Sequence, residues 1–202
     1  MRKVLMSFAV IAVLAVPTFA GKYNKVVSIG EKAPDFSGLP AVFNGEDTSL
    51  SLVDVKDEVV VVVFLGNHCP VVQQYEDRLI EFTKDYEGKG VRVIGLSVND
   101  IDSDRIPGIK SYTKDHKSNY IYGYDESGKV GKAYGASNTP QFFVLDKERK
   151  IRYTGAMDDN MNETKVTKTY LRDAVDALLK GESPKVEETR AAGCGIKYKK
   201  GD

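Results

Sequence analysis

Val59-Val60-Val61-Val62-Val63-Phe64-Leu65-Gly66-Asn67-His68-Cys69-Pro70-Val71 decides the fold class. Its first part, Val59 to Phe64, is a continuous apolar run rich in β-branched residues. Such a run predicts a strand buried on both faces, of the central parallel type. From Val71 to Tyr86, the apolar residues Val72, Tyr75, Leu79, Ile80 and Phe82 recur at roughly helical spacing. Gly66 marks a tight turn between the two. Pro70 suits the first helical position, where its missing N–H is one the helix would leave unpaired anyway. Cys69 is therefore expected at or next to the helix N-cap. Unpaired N–H groups and the positive end of the helix dipole would there point at its sulfur. They favour thiolate, the nucleophilic form, over thiol. The competing reading is a buried, inert cysteine, in effect a small hydrophobe.

Outward from this stretch, the chain has 202 residues, enough for one domain with a proper core. It is 42% hydrophobic and 29% charged, an ordinary globular balance. Formal charge is zero and basic residues do not run together outside the tail, so charge gives no case for nucleic acid. Arg2 and Lys3 followed by the apolar Val4–Val16 and by Pro17-Thr18-Phe19-Ala20 read as a signal peptide, residues 1–20, cut before Gly21. The apolar run is short for a membrane span. Export to a periplasm or beyond is expected, with no stable membrane insertion after cleavage. The two cysteines, Cys69 and Cys194, allow one disulfide in an oxidising compartment. They are too few for a disulfide scaffold and point to chemistry.

Ile29-Gly30-Glu31-Lys32-Ala33-Pro34-Asp35-Phe36 opens the domain, with Pro34 imposing extended geometry on Ala33 and Phe36 as an anchor. Thr48–Leu52 alternates as a short exposed strand. Val91–Val98 is a second apolar strand, and strand–helix–strand predicts a parallel βαβ unit. Ile106–His116 reads as a helix broken near its start by Pro107 and Gly108, Tyr120–Tyr122 as extended, and Asp125–Tyr134 as a short helix. Phe142–Leu145 and Ile151–Tyr153, joined by a charged turn, predict a hairpin. Tyr170–Lys180 is an amphipathic helix stopped by Gly181. The residues from 21 to 180 form the domain. Residues 181–202 are expected to be a flexible, charged tail that carries Cys194 between two glycines.

Three motifs together resemble the thioredoxin-like superfamily, in its redoxin branch of the alkyl hydroperoxide reductase/thiol-specific antioxidant type. They are the opening Gly30–Phe36, the strand–turn–Cys69–helix element, and Thr139-Pro140 leading into a strand. The resemblance implies an α/β, thioredoxin-like fold: a central mixed sheet with helices on both faces. It also implies a cis-proline loop at Thr139-Pro140 facing Cys69. The chain is similar, more narrowly, to exported bacterial redoxin-domain proteins with a Cys-Asn-His-Cys-Pro motif and a Gly-Cys tail. Here Gly66 stands in place of the first cysteine, so a disulfide within that motif is impossible. Cys69 then acts alone, as in peroxiredoxins, or Cys194 resolves it from the tail. Peroxiredoxins place a threonine where this chain has Gly66 and commonly an arginine near the position of Pro140, which favours thiol–disulfide exchange here.

The candidate catalytic residues are Cys69, Cys194, Pro140, Thr139 and His68. His68 lowers the Cys69 pKa, ligates a metal or is a solvated loop residue. Tyr75 and Glu76 read as packing and surface, and Met157, Asp158, Asp159 and Met161 as a loop. No organic cofactor and no metal are expected. The implied partners are a protein or small-molecule thiol or disulfide and an external thiol reductant. The rival functions are a thiol peroxidase and a copper-binding or redox-inactive binding module on the same scaffold.

Overall fold

The computed structural model describes residues 21–199. The expected signal peptide, residues 1–20, lies outside them. The elements run β1 (Leu39–Phe43), β2 (Glu46–Leu50), β3 (Val59–Leu65), α1 (Pro70–Asp85), β4 (Val91–Ser97), α2 (Ile106–His116), β5 (Ile121–Tyr124), α3 (Lys129–Tyr134), β6 (Asn138–Thr139), β7 (Gln141–Leu145), β8 (Ile151–Gly155), α4 (Tyr170–Leu179) and β9 (Cys194–Gly195). Seven strands form one mixed sheet in the order β2-β1-β5-β4-β3-β7-β8, and β6 pairs with β9 apart from it. The β3–α1–β4 unit is parallel as expected, from Val59 beside Val91 to Leu65 beside Ser97. β7 and β8 form the expected antiparallel hairpin. This is the α/β, thioredoxin-like arrangement.

β3 is buried along its whole length. Successive side chains of a strand point to opposite faces, and both faces here are covered. Val59, Val61, Val63 and Leu65 join Val72, Leu79 and Phe82 of α1, Ile109 of α2 and Leu171 of α4. Val60, Val62 and Phe64 face Phe36, Tyr134 and Phe143 on the other side. Phe36 is the anchor its motif suggested. The opening segment is tied to the β7–β8 hairpin by hydrogen bonds from Gly30 N–H to the Ile151 carbonyl (2.7 Å) and Ala33 N–H to the Arg149 carbonyl (2.8 Å).

Several boundaries differ from expectation, each for a local reason. Pro107 does not break α2; it lies in its first turn, where proline costs no hydrogen bond. The residues Asp125–Ser127 precede α3 as a turn, with the Asp125 carboxylate accepting from Gly131 N–H at 3.0 Å. β2 begins at Glu46, two residues earlier than its alternation suggested, because it is the return arm of a hairpin whose turn, Asn44-Gly45, has positive φ at both residues.

The tail is the largest departure. Its charged composition suggested a free segment, yet its described part lies along the domain. Thr154 N–H donates to the Glu187 carbonyl and Thr189 N–H to the Thr154 carbonyl, both at 3.0 Å. The Glu188 carboxylate accepts from the N–H groups of Lys22, Tyr23 and Asn24 at 2.5–2.8 Å. Backbone pairing with an open strand, rather than side-chain apolarity, holds this stretch, so hydropathy gave no sign of it.

Candidate active site around Cys69

Cys69 is the N-cap of α1 and is fully buried. Its sulfur lies 3.2 Å from the Thr139 carbonyl oxygen. The Thr139–Pro140 peptide is cis. β9 brings the second cysteine in: Cys194 stands directly opposite Thr139 in the β6–β9 ladder. Cys69, Thr139, Pro140 and Cys194 thus meet at one point although the sequence separates them widely. Both cysteines are free thiols here.

The two thiols are electrostatically linked. Burial pushes the Cys69 thiol up. The Cys194 side chain, the Val72 N–H in the first turn of α1, and Thr139 outweigh it, so Cys69 is held below its ordinary value. Burial raises the Cys194 thiol, and so does the hydrogen bond it shares with Cys69. Of the two, Cys69 is therefore the more readily ionised and Cys194 the less, and the thiolate is the nucleophilic form.

Thr139 carries an expected trade-off. Its hydroxyl is buried and, with Cys69 a thiol, has no hydrogen-bond partner among the described residues. Once Cys69 ionises, that hydroxyl is a donor that favours the thiolate and so lowers its pKa. An unsatisfied buried hydroxyl costs stability, on the order of 1–3 kcal/mol. Thr139→Val is therefore expected to leave the fold as stable or up to about 1 kcal/mol more stable. It should also move the pH midpoint of Cys69 alkylation upward, so that alkylation slows at neutral pH. Urea unfolding and the pH profile of alkylation check the two halves. An unmoved midpoint in the Thr139→Val variant contradicts the role given to the hydroxyl.

His68 is engaged by a carboxylate. Its Nδ1 lies 2.9 Å from Oδ2 of Asp104, a fully buried carboxylate in the loop after β4. Asp104 also accepts from the His68 backbone N–H (3.2 Å) and from the Ser103 hydroxyl (3.1 Å). Asn67 is wired in alongside. Its amide donates to the Ser103 carbonyl (2.6 Å), its side-chain oxygen accepts from the Tyr122 hydroxyl (3.1 Å), and its carbonyl accepts from Gln73 (2.8 Å). These bonds fix the turn that sets Cys69 on its helix.

Gly66 has a positive reason to be small. A Cβ there would lie 2.9 Å from Asn99 Nδ2 and 3.0 Å from Asp104 Oδ2. The space a side chain at this position would need is taken by the His68–Asp104 pair and Asn99.

Sequence reasoning missed Asp104, Asn67 and Asn99. The signal was available in part. Loops that follow adjacent parallel strands emerge side by side at their carboxyl ends, so the Asn99–Asp104 loop had to neighbour Gly66–Cys69. It also misread Glu76 as surface. Glu76 is buried and accepts from the hydroxyls of Tyr112 (3.2 Å), Ser118 (2.6 Å) and Tyr120 (2.9 Å). Among the described residues no cluster of three His, Cys, Asp or Glu side chains comes together as a metal site.

Residues 29–154 match the AhpC/TSA family. The thiol-disulfide oxidoreductase ResA of Bacillus cereus is 27% identical over 135 residues, covering 66% of this chain and 73% of that protein. A hypothetical protein of Sinorhizobium meliloti 1021 superposes with a TM-score of 0.80 at 34% identity, over 88% of this chain and 98% of that one. A putative thioredoxin from Neisseria meningitidis shares the fold, with a TM-score of 0.58 at 24% identity over 73% of this chain and 89% of its own. With a family match over well more than half its length and a thioredoxin-like sheet built around a helix-capping cysteine, the chain belongs to the AhpC/TSA family, in the redoxin branch of the thioredoxin-like superfamily.

Proposed function

We propose that the protein is a thiol–disulfide oxidoreductase of redoxin type, with Cys69 as nucleophile and Cys194 as resolving thiol. The observation that carries this reading is geometric: Cys69 caps α1 with its sulfur 3.2 Å from the Thr139 carbonyl, and Cys194 stands opposite that same Thr139 in the β6–β9 ladder, the first thiol held below its ordinary value and the second above it. The Cys69 thiolate attacks one sulfur of a substrate disulfide, forms a mixed disulfide and releases the other sulfur as a thiolate. Cys194 loses its proton and attacks the Cys69 sulfur. The Cys69–Cys194 disulfide forms and the substrate leaves as a second thiol. Two electrons pass from the pair to the substrate, and an external dithiol restores them. Pro140 and Thr139 present backbone to the substrate beside Cys69, and His68, held by Asp104, braces the turn. The named relative ResA supports the same chemistry.

Export, proposed from Arg2-Lys3 and the apolar Val4–Val16, fits the reading as a matter of compartment, since an exchanging pair is useful where disulfides persist. Among the described residues no helix is long and apolar enough to cross a membrane.

Differential alkylation read by mass spectrometry, with and without prior reduction and across pH, tests the proposal. Linked cysteines that separate on reduction, with Cys69 alkylating at a pH below that of a free thiol, are the expected result. The family match favours one second reading, a thiol peroxidase in which Cys69 passes through a sulfenic acid. Free cysteines in the isolated protein, with fast peroxide consumption at Cys69, select it. A slow, pH-insensitive Cys69 overturns both.

A further inference from the structure

The groove beside the cis-proline is already full. β9 lies antiparallel to β6, with Asn138 opposite Gly195 and Thr139 opposite Cys194. This is the main-chain pairing by which an extended peptide adds itself to an exposed strand. The segment from Gly193 to Tyr198 is fastened at several further points. Asn138 donates to the Gly193 carbonyl (3.2 Å), Ile196 N–H to the Ser137 carbonyl (3.0 Å) and Lys197 N–H to Asn99 (2.9 Å). Asp100 N–H donates to the Lys197 carbonyl (3.2 Å), and the Tyr198 hydroxyl to the Ala136 carbonyl (2.7 Å). Ile196 and Tyr198 pack against the apolar cluster of Phe64, Val98 and Tyr134. Beneath this cover Cys69 has no solvent exposure.

We propose that Gly193–Tyr198 is a tethered strap occupying the groove in which an outside cysteine-bearing strand would lie, and that the strap lifts to admit such a strand to Cys69. The inference rests on the oxidoreductase reading of Cys69. It goes beyond that reading by making the tail a competitor of the substrate as well as a thiol donor. The partner is an extended polypeptide presenting its cysteine antiparallel to Asn138-Thr139. The groove also sets a size limit. Gly193 has φ +155°, and a Cβ there would lie 2.1 Å from the Thr139 carbonyl oxygen. A glycine before the reacting cysteine fits this approach, and a larger residue does not.

The closed strap leaves only the open fraction of molecules competent, and the observed rate falls by that fraction. Two substitutions in the full chain loosen it from different sides. Gly193→Ala crowds Thr139, and Tyr198→Ala removes the distal anchor. The probe is iodoacetamide, and the rate is compared on the high-pH plateau, where Cys69 is fully ionised and the loss of the Cys194 hydrogen bond no longer matters. Far-UV circular dichroism and the urea midpoint confirm that each variant is folded. The expected result is a plateau rate raised about tenfold or more in both variants, the size of a tenfold gain in open fraction. Folded variants that react as the unaltered protein does, with Cys69 reactive in all three, overturn the strap and leave the oxidoreductase reading standing. A Cys69 that is inert in all three folded proteins, yet reacts in urea, overturns the strap and the nucleophile together.

Discussion

Asp158→Ala is expected to destabilise the protein by about 3–5 kcal/mol, the cost of leaving a buried charge without its partner. Arg78 on α1 and Asp158 in the loop after β8 are 7% exposed each. The Arg78 guanidinium pairs with one Asp158 oxygen, and the Tyr75 hydroxyl donates to the other at 2.9 Å. Burial, and then Asp158, push the Tyr75 hydroxyl up to about 12, so it remains a donor throughout the physiological range. Arg78 also donates to the carbonyls of Asn160 (3.2 Å) and Met161 (2.8 Å) and lies 3.8 Å over the Tyr75 ring. One carboxylate therefore organises the loop, the guanidinium and the phenol at once. Its loss strands a cation and a hydroxyl inside the protein. At roughly 2–4 °C per kcal/mol for a chain of this size, the melting temperature should fall by about 6–20 °C. Replacing Arg78 by methionine and Asp158 by leucine together should cost less than Asp158→Ala alone, because nothing charged is then left behind. Urea unfolding of the three proteins decides it. A single variant within about 1 kcal/mol of the unaltered chain would show that water reaches the pair and screens it.

Cys69→Ser should reduce exchange with a peptide disulfide to the rate seen without protein, while Cys194→Ser should stop the reaction halfway. The asymmetry follows from the opposite shifts of the two thiols: in the proposed mechanism Cys69, held low, attacks, and Cys194, held high, serves second. Without Cys194 the mixed disulfide on Cys69 has no internal thiol to resolve it. Intact-mass measurement should show the protein plus one substrate chain, removable by a dithiol reductant. Cys194→Ser should also alter the first step less than Cys194→Ala does, because serine keeps a donor beside the thiolate and alanine does not. The pH midpoint of Cys69 alkylation should therefore move upward most in the alanine variant. Full turnover by Cys194→Ser without accumulated adduct would assign resolution to an outside thiol.

The fold was legible where one residue pattern admits one structure. A run of five valines with a proline-started helix after it, and a second apolar strand beyond, left little freedom, and β3, α1 and β4 formed as expected. The cis Thr139–Pro140 peptide followed from resemblance and not from spacing. The site was legible as separate parts. Cys69, Thr139 and Pro140 carried signals of their own, whereas their meeting with Cys194 depends on backbone pairing between two two-residue strands, which no periodicity announces. The polar residues inside the protein were hardest. Glu76, Arg78, Asp104 and Asp158 look like surface residues by composition. They lie inside because specific donors and acceptors surround them, and partners distant in sequence leave no local trace.

The mixed sheet ends at β2 on one side and β8 on the other. Exposed strand edges invite pairing with another chain, the first step toward aggregation. β2 is short and carries Glu46 and Asp47 facing solvent, which discourages such pairing. On β8, Glu187 and Thr189 claim the backbone groups of Thr154, and the Thr189 hydroxyl accepts from Ala156 N–H at 2.9 Å. This clasp lies upstream of Gly193 and shares no bond with the strap. In the proposed cycle the last residues lift while this clasp on Thr154 stays made, so each opening uncovers Cys69 without freeing that part of the β8 edge for a neighbouring molecule.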